Sequence, residues 1–288
     1  MAIALAVLSS ICFGIALVTG RVGLRTLDAR SGAAISIPTA TVLFVVASPF
    51  VLDTSGFSVG ALVLFAVVGL FFPAIVTILT FRSNEQLGPT VTSAVSGTAP
   101  LFALLAASLL LDEKVPAQAA AAAAGVAVGI VLLSWNPTGM RRGFAGWSLL
   151  WPIAGAVVRG VAQVGAKAAL LLWPNPFAAG LIGYTVSSAT VIAADRFRRG
   201  ERRRTTKQSV YWFGVTGALN GVAVLFMYAA LNMAAVSTVA PIVAAYPLIT
   251  AIVSAIAMRG EILTARMFGG AVVTVAAIVY LVVSTTGA

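Results

Sequence analysis

The sequence predicts an all-α membrane protein with ten transmembrane helices, arranged as two inverted repeats of five helices. Three observations lead to this fold class. The 288 residues are 60% hydrophobic and only 9% charged, with a mean hydropathy of +1.04, far outside the range of soluble domains. Hydrophobic runs long enough to cross a bilayer follow one another with short separators. Landmark residues of the first half recur in the second half at a nearly constant offset.

Hydropathy divides the chain into ten spans, because a hydrocarbon core about 30 Å thick needs roughly 20 apolar residues per helix. The first span, 2–19, has no basic segment before it and another span follows at once, so we expect a helix of the mature protein rather than a signal peptide. The other spans lie near residues 32–52, 58–81, 89–111, 117–135, 147–172, 176–194, 209–231, 236–258 and 265–284. Only the run 196–207 makes a substantial loop between them.

The two halves of the chain share a set of landmarks. Gly14 is followed seven residues later by Arg21, and Gly160 is followed seven residues later by Lys167, at an offset of 146. Similar matches at offsets of 147 to 148 join Thr90, Pro100 and Glu113 to Thr238, Pro247 and Glu261. These matches predict two repeats, residues 1–139 and 140–288. Because five spans per half is an odd number, the second repeat must enter the membrane from the opposite side, as in many secondary transporters.

Composition excludes several function classes. The single cysteine, Cys12, precludes an internal disulfide, and the absence of histidine removes the commonest transition-metal ligand. The sequence contains no phosphate loop, no metal-ligand cluster and no nucleophile with a base, so we expect no enzyme activity, no cofactor and no metal. The net charge of +10 comes from basic residues in loops, which act as topology signals and do not indicate a nucleic-acid partner.

One charged residue lies deep inside a span. Trp147 and Trp173 flank the sixth span and suit the two membrane interfaces. Arg159 lies 12 and 14 residues from them, or about 18 and 21 Å along a helix, which places it near the midplane. An unpaired charge there costs from about 3 to more than 10 kcal/mol, so Arg159 must face water, a partner or a ligand.

Arg159 begins a polar stripe, since Gln163 and Lys167 follow at i+4 and i+8 on the same helix face. A guanidinium matches a carboxylate or phosphate with two parallel hydrogen bonds. We therefore expect Arg159 to bind an anionic substrate group, with Gln163 supplying hydrogen bonds. Two alternatives stay open: carbonyls of a broken helix, or an acidic partner, could satisfy Arg159. All eight acidic residues, however, fall at helix ends or in loops. Lys167 is a further candidate, although it could instead extend to the interface.

Other spans add candidates for a substrate cavity. The repeat pairs Arg159 with Phe13, so an aromatic wall would face a cationic one if both line a cavity. The remaining candidates are Thr77, Tyr184, Asn220, Tyr228 and Tyr246. Prolines inside spans free backbone carbonyls and are candidate hinges, although simple kinks would also explain them; they are Pro73, Pro100, Pro241 and Pro247. Capping or loop salt bridges explain Glu113 and Glu261 better than transport chemistry does. Close helix packing explains the glycine pairs Gly125 with Gly129 and Gly217 with Gly221.

These landmarks resemble the drug/metabolite transporter superfamily, and within it the ten-helix exporters of the EamA type. The resemblance covers essentially the whole chain. It rests on Phe13-Gly14 with Arg21, Arg159-Gly160 with Lys167, the run 228–231, Pro100 to Glu113, and Pro247 to Glu261. It implies an exporter of amino acids or related small metabolites with a cavity framed by both repeats, and exporters of aromatic amino acids are similar in layout. The first span lacks the glutamate expected of small multidrug exporters, so a cationic-drug antiporter is disfavoured.

Basic residues of the loops fall almost entirely on one side of the membrane. That side holds the run 196–207, whereas the other side holds Lys114 and little else. The positive-inside rule places the basic run in the cytoplasm and both termini outside, while the resemblance implies termini inside. We expect a monomer in the bacterial inner membrane, with the lipid bilayer and a small-molecule substrate as partners.

The sequence thus predicts a secondary-active or facilitative transporter that exports amino acids, aromatic ones among them, or related small metabolites by alternating access. An alternative within transport is a carrier of phosphorylated or nucleotide-linked solutes, with Arg159 and Lys167 as a phosphate clamp. A membrane scaffold without transport is an alternative of a different class.

Overall fold

Every element of the described chain in a computed structural model is a helix. The structure describes residues 1–134, 146–196, 205–257 and 265–286, and these ranges contain no strand. A 3-10 turn, Gly146–Leu149, precedes the second half. The α-helices are α1 Ala2–Gly23, α2 Ala29–Val51, α3 Val59–Phe71, α4 Ala74–Ser96, α5 Ala99–Leu110, α6 Ala117–Ser134, α7 Leu150–Leu172, α8 Pro176–Arg196, α9 Lys207–Met233, α10 Val236–Val243, α11 Tyr246–Ala257 and α12 Ala265–Thr286.

The apolarity of these helices confirms an integral membrane protein. Within the described ranges, seven stretches are long and apolar enough to cross a bilayer: Ala2–Gly23, Ala29–Val51, Val59–Pro89, Trp147–Leu172, Pro176–Arg196, Lys207–Met233 and Val236–Ala257. Two shorter apolar helices are Ala99–Leu110 and Ala117–Gly129. Large side chains such as Phe50 and Ile256 are 87% and 79% exposed on the outer surface, as lipid contact requires. The count of ten spans stays a prediction.

Several predicted features lie outside the described residues. They are the separator 136–139, Arg141 and Arg142, positions 197–204 of the basic loop, Arg259, and Glu261. The pairing of Glu261 with Glu113 therefore rests on the sequence alone.

Three of the predicted spans are broken midway. The third span is interrupted at 72–73 between α3 and α4, the fourth at 97–98 between α4 and α5, and the ninth at 244–245 between α10 and α11. The Phe72–Pro73 peptide bond is cis. The third span also extends beyond its predicted end at residue 81, because α4 continues to Gly88, whose φ of 82° turns the chain into the fourth span.

The break in the third span keeps its backbone hydrogen bonded through a neighbouring helix. The Ser187 hydroxyl of α8 donates to the carbonyl of Gly69 at 2.5 Å and accepts from the amide of Ala74 at 3.2 Å. Inside a bilayer, each backbone N–H or C=O group without a hydrogen-bond partner destabilises the fold by roughly several kcal/mol. Ser187 therefore allows the helix to break where the cavity described below begins.

The two halves contact each other reciprocally. The first helix of each half packs against the broken fourth span of the other: α1 against α10 and α11, and α7 against α4 and α5. Likewise α2 packs on α9 and α8 packs on α3, while α6 and α12 pair with each other. Reciprocal contacts of this kind are the pattern of a two-fold axis.

Glycines set the closest of these contacts. A Cβ on Gly14 would lie 2.8 Å from the Tyr246 carbonyl oxygen, and a Cβ on Gly160 would lie 2.8 Å from the Ala99 carbonyl oxygen. The two contacts are equivalent, because Gly160 follows Gly14 by 146 residues and Tyr246 follows Ala99 by 147 residues, close to the offset between the repeats. The predicted packing glycines also lie at contacts: Gly125 and Gly129 against α12, and Gly217 and Gly221 against α2.

The loops at one end of the molecule are tied together by Trp173. Its indole N–H donates to the carbonyl of Ser55 at 3.0 Å, and only 4% of the residue is exposed. Trp173 therefore packs inside the protein and does not contact lipid, whereas Trp147 is 79% exposed; the interfacial depth of both stays a prediction. In the same loop, hydrogen bonds from the Ser55 hydroxyl and amide hold the pKa of the Asp53 carboxyl below its usual range.

Candidate functional site

A cavity lies between α1, α4, α7, α8, α9 and α11, at the contact between the two halves. Six of the nine predicted substrate-binding residues line it: Phe13, Thr77, Arg159, Tyr184, Asn220 and Tyr246. The broken third span supplies one wall, from Phe72 to Phe81. The two halves therefore contribute to one central space.

Arg159 lies at the bottom of this cavity and is only 8% exposed. Three aromatic rings surround its guanidinium carbon, which lies 5.0 Å from the centroid of Phe13, 5.6 Å from that of Tyr246 and 5.8 Å from that of Phe72. Two of these rings lie at helix breaks: Phe72 is in the break of the third span, and Tyr246 follows the break in the ninth.

Arg159 has unused hydrogen-bonding capacity. Its Nε and Nη1 atoms are buried and donate to no residue of the described ranges, and no carboxylate of those ranges pairs with it. A cation–π contact stabilises the buried guanidinium by about 0.5 to 2 kcal/mol. Removing an ion from water costs roughly several kcal/mol, and each charged donor without an acceptor adds to that cost. The rings therefore offset only part of the cost. Water or a ligand in the cavity must satisfy the remaining donors.

Neutral polar groups line the same cavity. The Tyr184 hydroxyl is fully buried without a described hydrogen-bond partner, and its ring stacks on Phe44 with centroids 5.4 Å apart. Asn220 is half-buried and makes no hydrogen bond to any other residue that the structure describes. Thr77, Thr80 and Tyr246 complete the polar lining, and Ser96 hydrogen bonds the Tyr246 side chain.

The other predicted site residues lie away from the cavity. Gln163 lies behind Arg159 in a narrow space that Ser96 also borders. The Gln163 Nε2 group donates to the Met227 sulfur at 3.4 Å, while its Oε1 atom is buried without a described partner. Tyr228 is buried among packed helices, 2% exposed, and does not line the cavity. The residues of the predicted polar stripe therefore do not share one site: Arg159 lines the cavity, whereas Gln163 and Lys167 do not.

Lys167 binds the end of a helix. Its Nζ donates to the carbonyls of Leu231 at 2.7 Å and Ala234 at 3.1 Å, at the carboxyl end of α9. The Glu113 carboxylate accepts from the amide of Ser237 at 2.9 Å and from that of Val236, at the amino end of α10. Both charges complement helix dipoles. Lys167 and Glu113 therefore hold the turn between α9 and α10, and Lys167 does not face the cavity.

The predicted hinge prolines occupy different positions. Pro73 lies at the break of the third span and lines the cavity. Pro100 and Pro247 do not interrupt a helix, because each lies in the first turn of the helix that follows a break, where a missing N–H costs nothing. Pro241 lies inside α10.

Sequence reasoning missed seven residues of the cavity wall: Ala16, Leu17, Phe72, Val76, Thr80, Phe81 and Val224. Thr80 and Phe81 lie three and four residues after the predicted Thr77, so helical periodicity could have found them. Phe72 directly precedes Pro73, whose role as an interruption was expected. Within the described ranges, no group of residues could hold a metal ion.

Comparisons with known proteins agree with this architecture. The model of the EamA-like transporter family matches residues 1–135 and 146–283, two segments close to the predicted repeats. A solved structure titled "Crystal structure of protein" is similar, with a TM-score of 0.75 and 15% sequence identity, covering 97% of this chain and 95% of that chain. At this identity the likeness shows the fold alone. No curated protein matches the chain.

Proposed function

Because the chain belongs to the EamA-like transporter family, we propose that it exports amino acids or related small metabolites through the central cavity by alternating access. In this proposal Arg159 binds the carboxylate of the substrate, while Asn220 and Tyr184 provide further hydrogen bonds. The supporting observation is the pair of buried Arg159 donors without a described partner. An anion that accepts two parallel hydrogen bonds matches such a fork. Aromatic amino acids suit the surrounding rings.

The proposed transport cycle depends on the reciprocal halves. We propose ten spans in two inverted repeats, near 1–139 and 140–288, in a protein of the bacterial inner membrane that acts as a monomer, with the basic run 196–207 in the cytoplasm. Rocking of one half against the other would expose the cavity to each side in turn. The break at Pro73 is a candidate hinge in this motion.

The position of Lys167 argues against a carrier of phosphorylated solutes. A phosphate clamp would need a second cation beside Arg159, whereas the Lys167 Nζ binds two backbone carbonyls at the end of α9. No other cationic residue of the described ranges lines the cavity.

Transport into liposomes tests the proposal. Vesicles containing the purified protein are loaded with labelled amino acids, organic acids, organic phosphates and cationic dyes, and efflux is measured for the native protein, Arg159→Ala and Arg159→Lys. We expect efflux of a carboxylate solute that Arg159→Ala abolishes and Arg159→Lys reduces. Arg82→Ala is the matched control, because Arg82 lies over Trp151 and does not line the cavity. Unchanged efflux in Arg159→Ala would overturn the role of Arg159, and no efflux of any solute would favour a scaffold.

A further inference from the structure

The charges of the cavity discriminate among carboxylate substrates. Arg159 is the one charged residue of the described ranges that lines the cavity. Of the described carboxylates, Glu113 caps α10 and Asp53 is fully exposed in a loop. None of the others, Asp28, Glu85, Asp112 and Asp195, lines the cavity. Within the described ranges, the Arg159 guanidinium is therefore the one formal charge at the cavity.

We infer that the cavity prefers a small monocarboxylate with an apolar body and no ammonium group over a zwitterionic amino acid. This inference rests on the proposed function and narrows its substrates from amino acids to related small carboxylates that lack an ammonium group. A monoanion neutralises the charge of Arg159, so that the loaded site is uncharged. A zwitterion brings its own positive charge into a site that already has one, and the net charge stays at +1. Charges are costly in such a low-dielectric space unless they are paired.

The lining groups match a carboxylate better than an ammonium. Three elements contribute lining residues with hydrogen-bond donors: Arg159 with Nε and Nη1 on α7, Tyr184 with its hydroxyl on α8 and Asn220 with its amide on α9. Such donors suit carboxylate oxygens, which only accept hydrogen bonds. Among the described side chains that line the cavity, an ammonium would find neutral acceptors alone, namely the Asn220 carbonyl oxygen and hydroxyls such as that of Thr77.

Aromatic faces do not substitute for the missing carboxylate. Ring faces attract cations, but those of Phe13, Phe72 and Tyr246 already lie 5.0 to 5.8 Å from the Arg159 guanidinium. An ammonium on the same rings would lie close to a like charge. The edges of these rings and the side chains of Val76 and Val224 instead offer contact to an apolar body.

Three matched probes test this inference: 3-phenylpropanoate, L-phenylalanine and 2-phenylethylamine. They share one aromatic body and carry an anion, a zwitterion and a cation. Binding to the purified protein in detergent is measured by titration calorimetry at neutral pH. We expect 3-phenylpropanoate to bind at least about 10-fold more tightly than L-phenylalanine, the ratio that one modest charge interaction supplies, and 2-phenylethylamine not to bind.

Variants separate a specific site from general adsorption. Arg159→Met should abolish 3-phenylpropanoate binding and Arg159→Lys should weaken it, whereas the control Arg82→Met should leave it unchanged. Circular dichroism and size-exclusion profiles matching the native protein establish that each variant is folded. Equal or tighter binding of L-phenylalanine overturns the inference, as does an absence of 3-phenylpropanoate binding. If 3-phenylpropanoate binds as expected but crosses no liposome membrane, the proposed transport fails while the inferred preference stands.

Discussion

Around the cavity, residues at equivalent positions of the two halves make the same kinds of contact. Arg21 donates to the carbonyls of Asn84 and Glu85 at the end of the third span, just as Lys167 donates to those of Leu231 and Ala234 at the end of the eighth. Gly14 and Gly160 each meet a carbonyl oxygen beside the broken fourth span of the other half. These shared positions form the scaffold.

At the cavity itself the halves differ. Arg159 corresponds to Phe13, and Tyr246 corresponds to Ala99. The third span is broken at Pro73, whereas its counterpart α9 is continuous over 27 residues. The contacts around the cavity are therefore alike in the two halves, while Arg159 and Tyr246 at the cavity have counterparts of a different kind. The experiments below test this division between shared scaffold and specific site.

Exchanging the residues at the centre has the largest expected effect. Arg159→Phe should weaken 3-phenylpropanoate binding about 100-fold, or roughly 2.7 kcal/mol. Adding Phe13→Arg should recover about 10-fold, because Phe13 lines the same cavity and its ring lies 5.0 Å from the guanidinium. Calorimetric Kd values for both variants check this. No recovery in the double variant would show that the second half alone can present the guanidinium.

Filling the equivalent glycines should destabilise both halves similarly. Gly14→Ala and Gly160→Ala each place a Cβ 2.8 Å or less from atoms of a facing helix, an overpacking that costs about 1–3 kcal/mol. Gly214→Ala is the matched control, since nothing lies within 4 Å of its added Cβ. Thermal unfolding in detergent is the measurement. A loss of stability in only one of the two variants would contradict a shared scaffold.

Removing the hydroxyl that bridges the broken third span should have a smaller effect. Ser187→Ala leaves the Gly69 carbonyl and the Ala74 amide without this partner, at a cost of about 1–2 kcal/mol in stability. Ser188→Ala serves as control, because Ser188 hydrogen bonds the Thr41 hydroxyl and not the break. The two variants are compared by their unfolding temperatures. Equal values would mean that Ser187 does not stabilise the break.

The helix-capping cations should give the smallest effect, and an equal one. Arg21→Met and Lys167→Met each remove a cation from the carboxyl end of a helix, which costs about 1 kcal/mol. Neither residue lines the cavity, so the Kd of 3-phenylpropanoate should stay unchanged in both. A large loss of affinity in Lys167→Met would reinstate Lys167 as a substrate ligand.

Local sequence patterns predicted the helices and six of the residues that line the cavity, but not the surroundings of each side chain. Hydropathy identifies membrane helices because lipid excludes unpaired backbone groups, and depth along the helix singled out Arg159. Periodicity also placed Gln163 and Lys167 on the same face. It could not show that α9 would contact that face, with Met227 beside Gln163 and a helix end beside Lys167. Breaks at 97–98 and 244–245 carry no proline at the break itself, so their position depends on tertiary packing.

The contact between Phe13 and Arg159 bears on how such a chain can have evolved. When two halves are related by a two-fold axis, equivalent residues touch each other only if both lie beside that axis. The Arg159 guanidinium carbon lies 5.0 Å from the centroid of the Phe13 ring. In a dimer of identical half-length chains, both positions would carry the same residue. Two guanidinium groups at that distance would repel by about 3 kcal/mol at an effective dielectric constant of roughly 20, and two phenyl rings would carry no charge. A solitary positive charge at the centre therefore requires that the halves have diverged after their genes were joined, or that they came from two different chains.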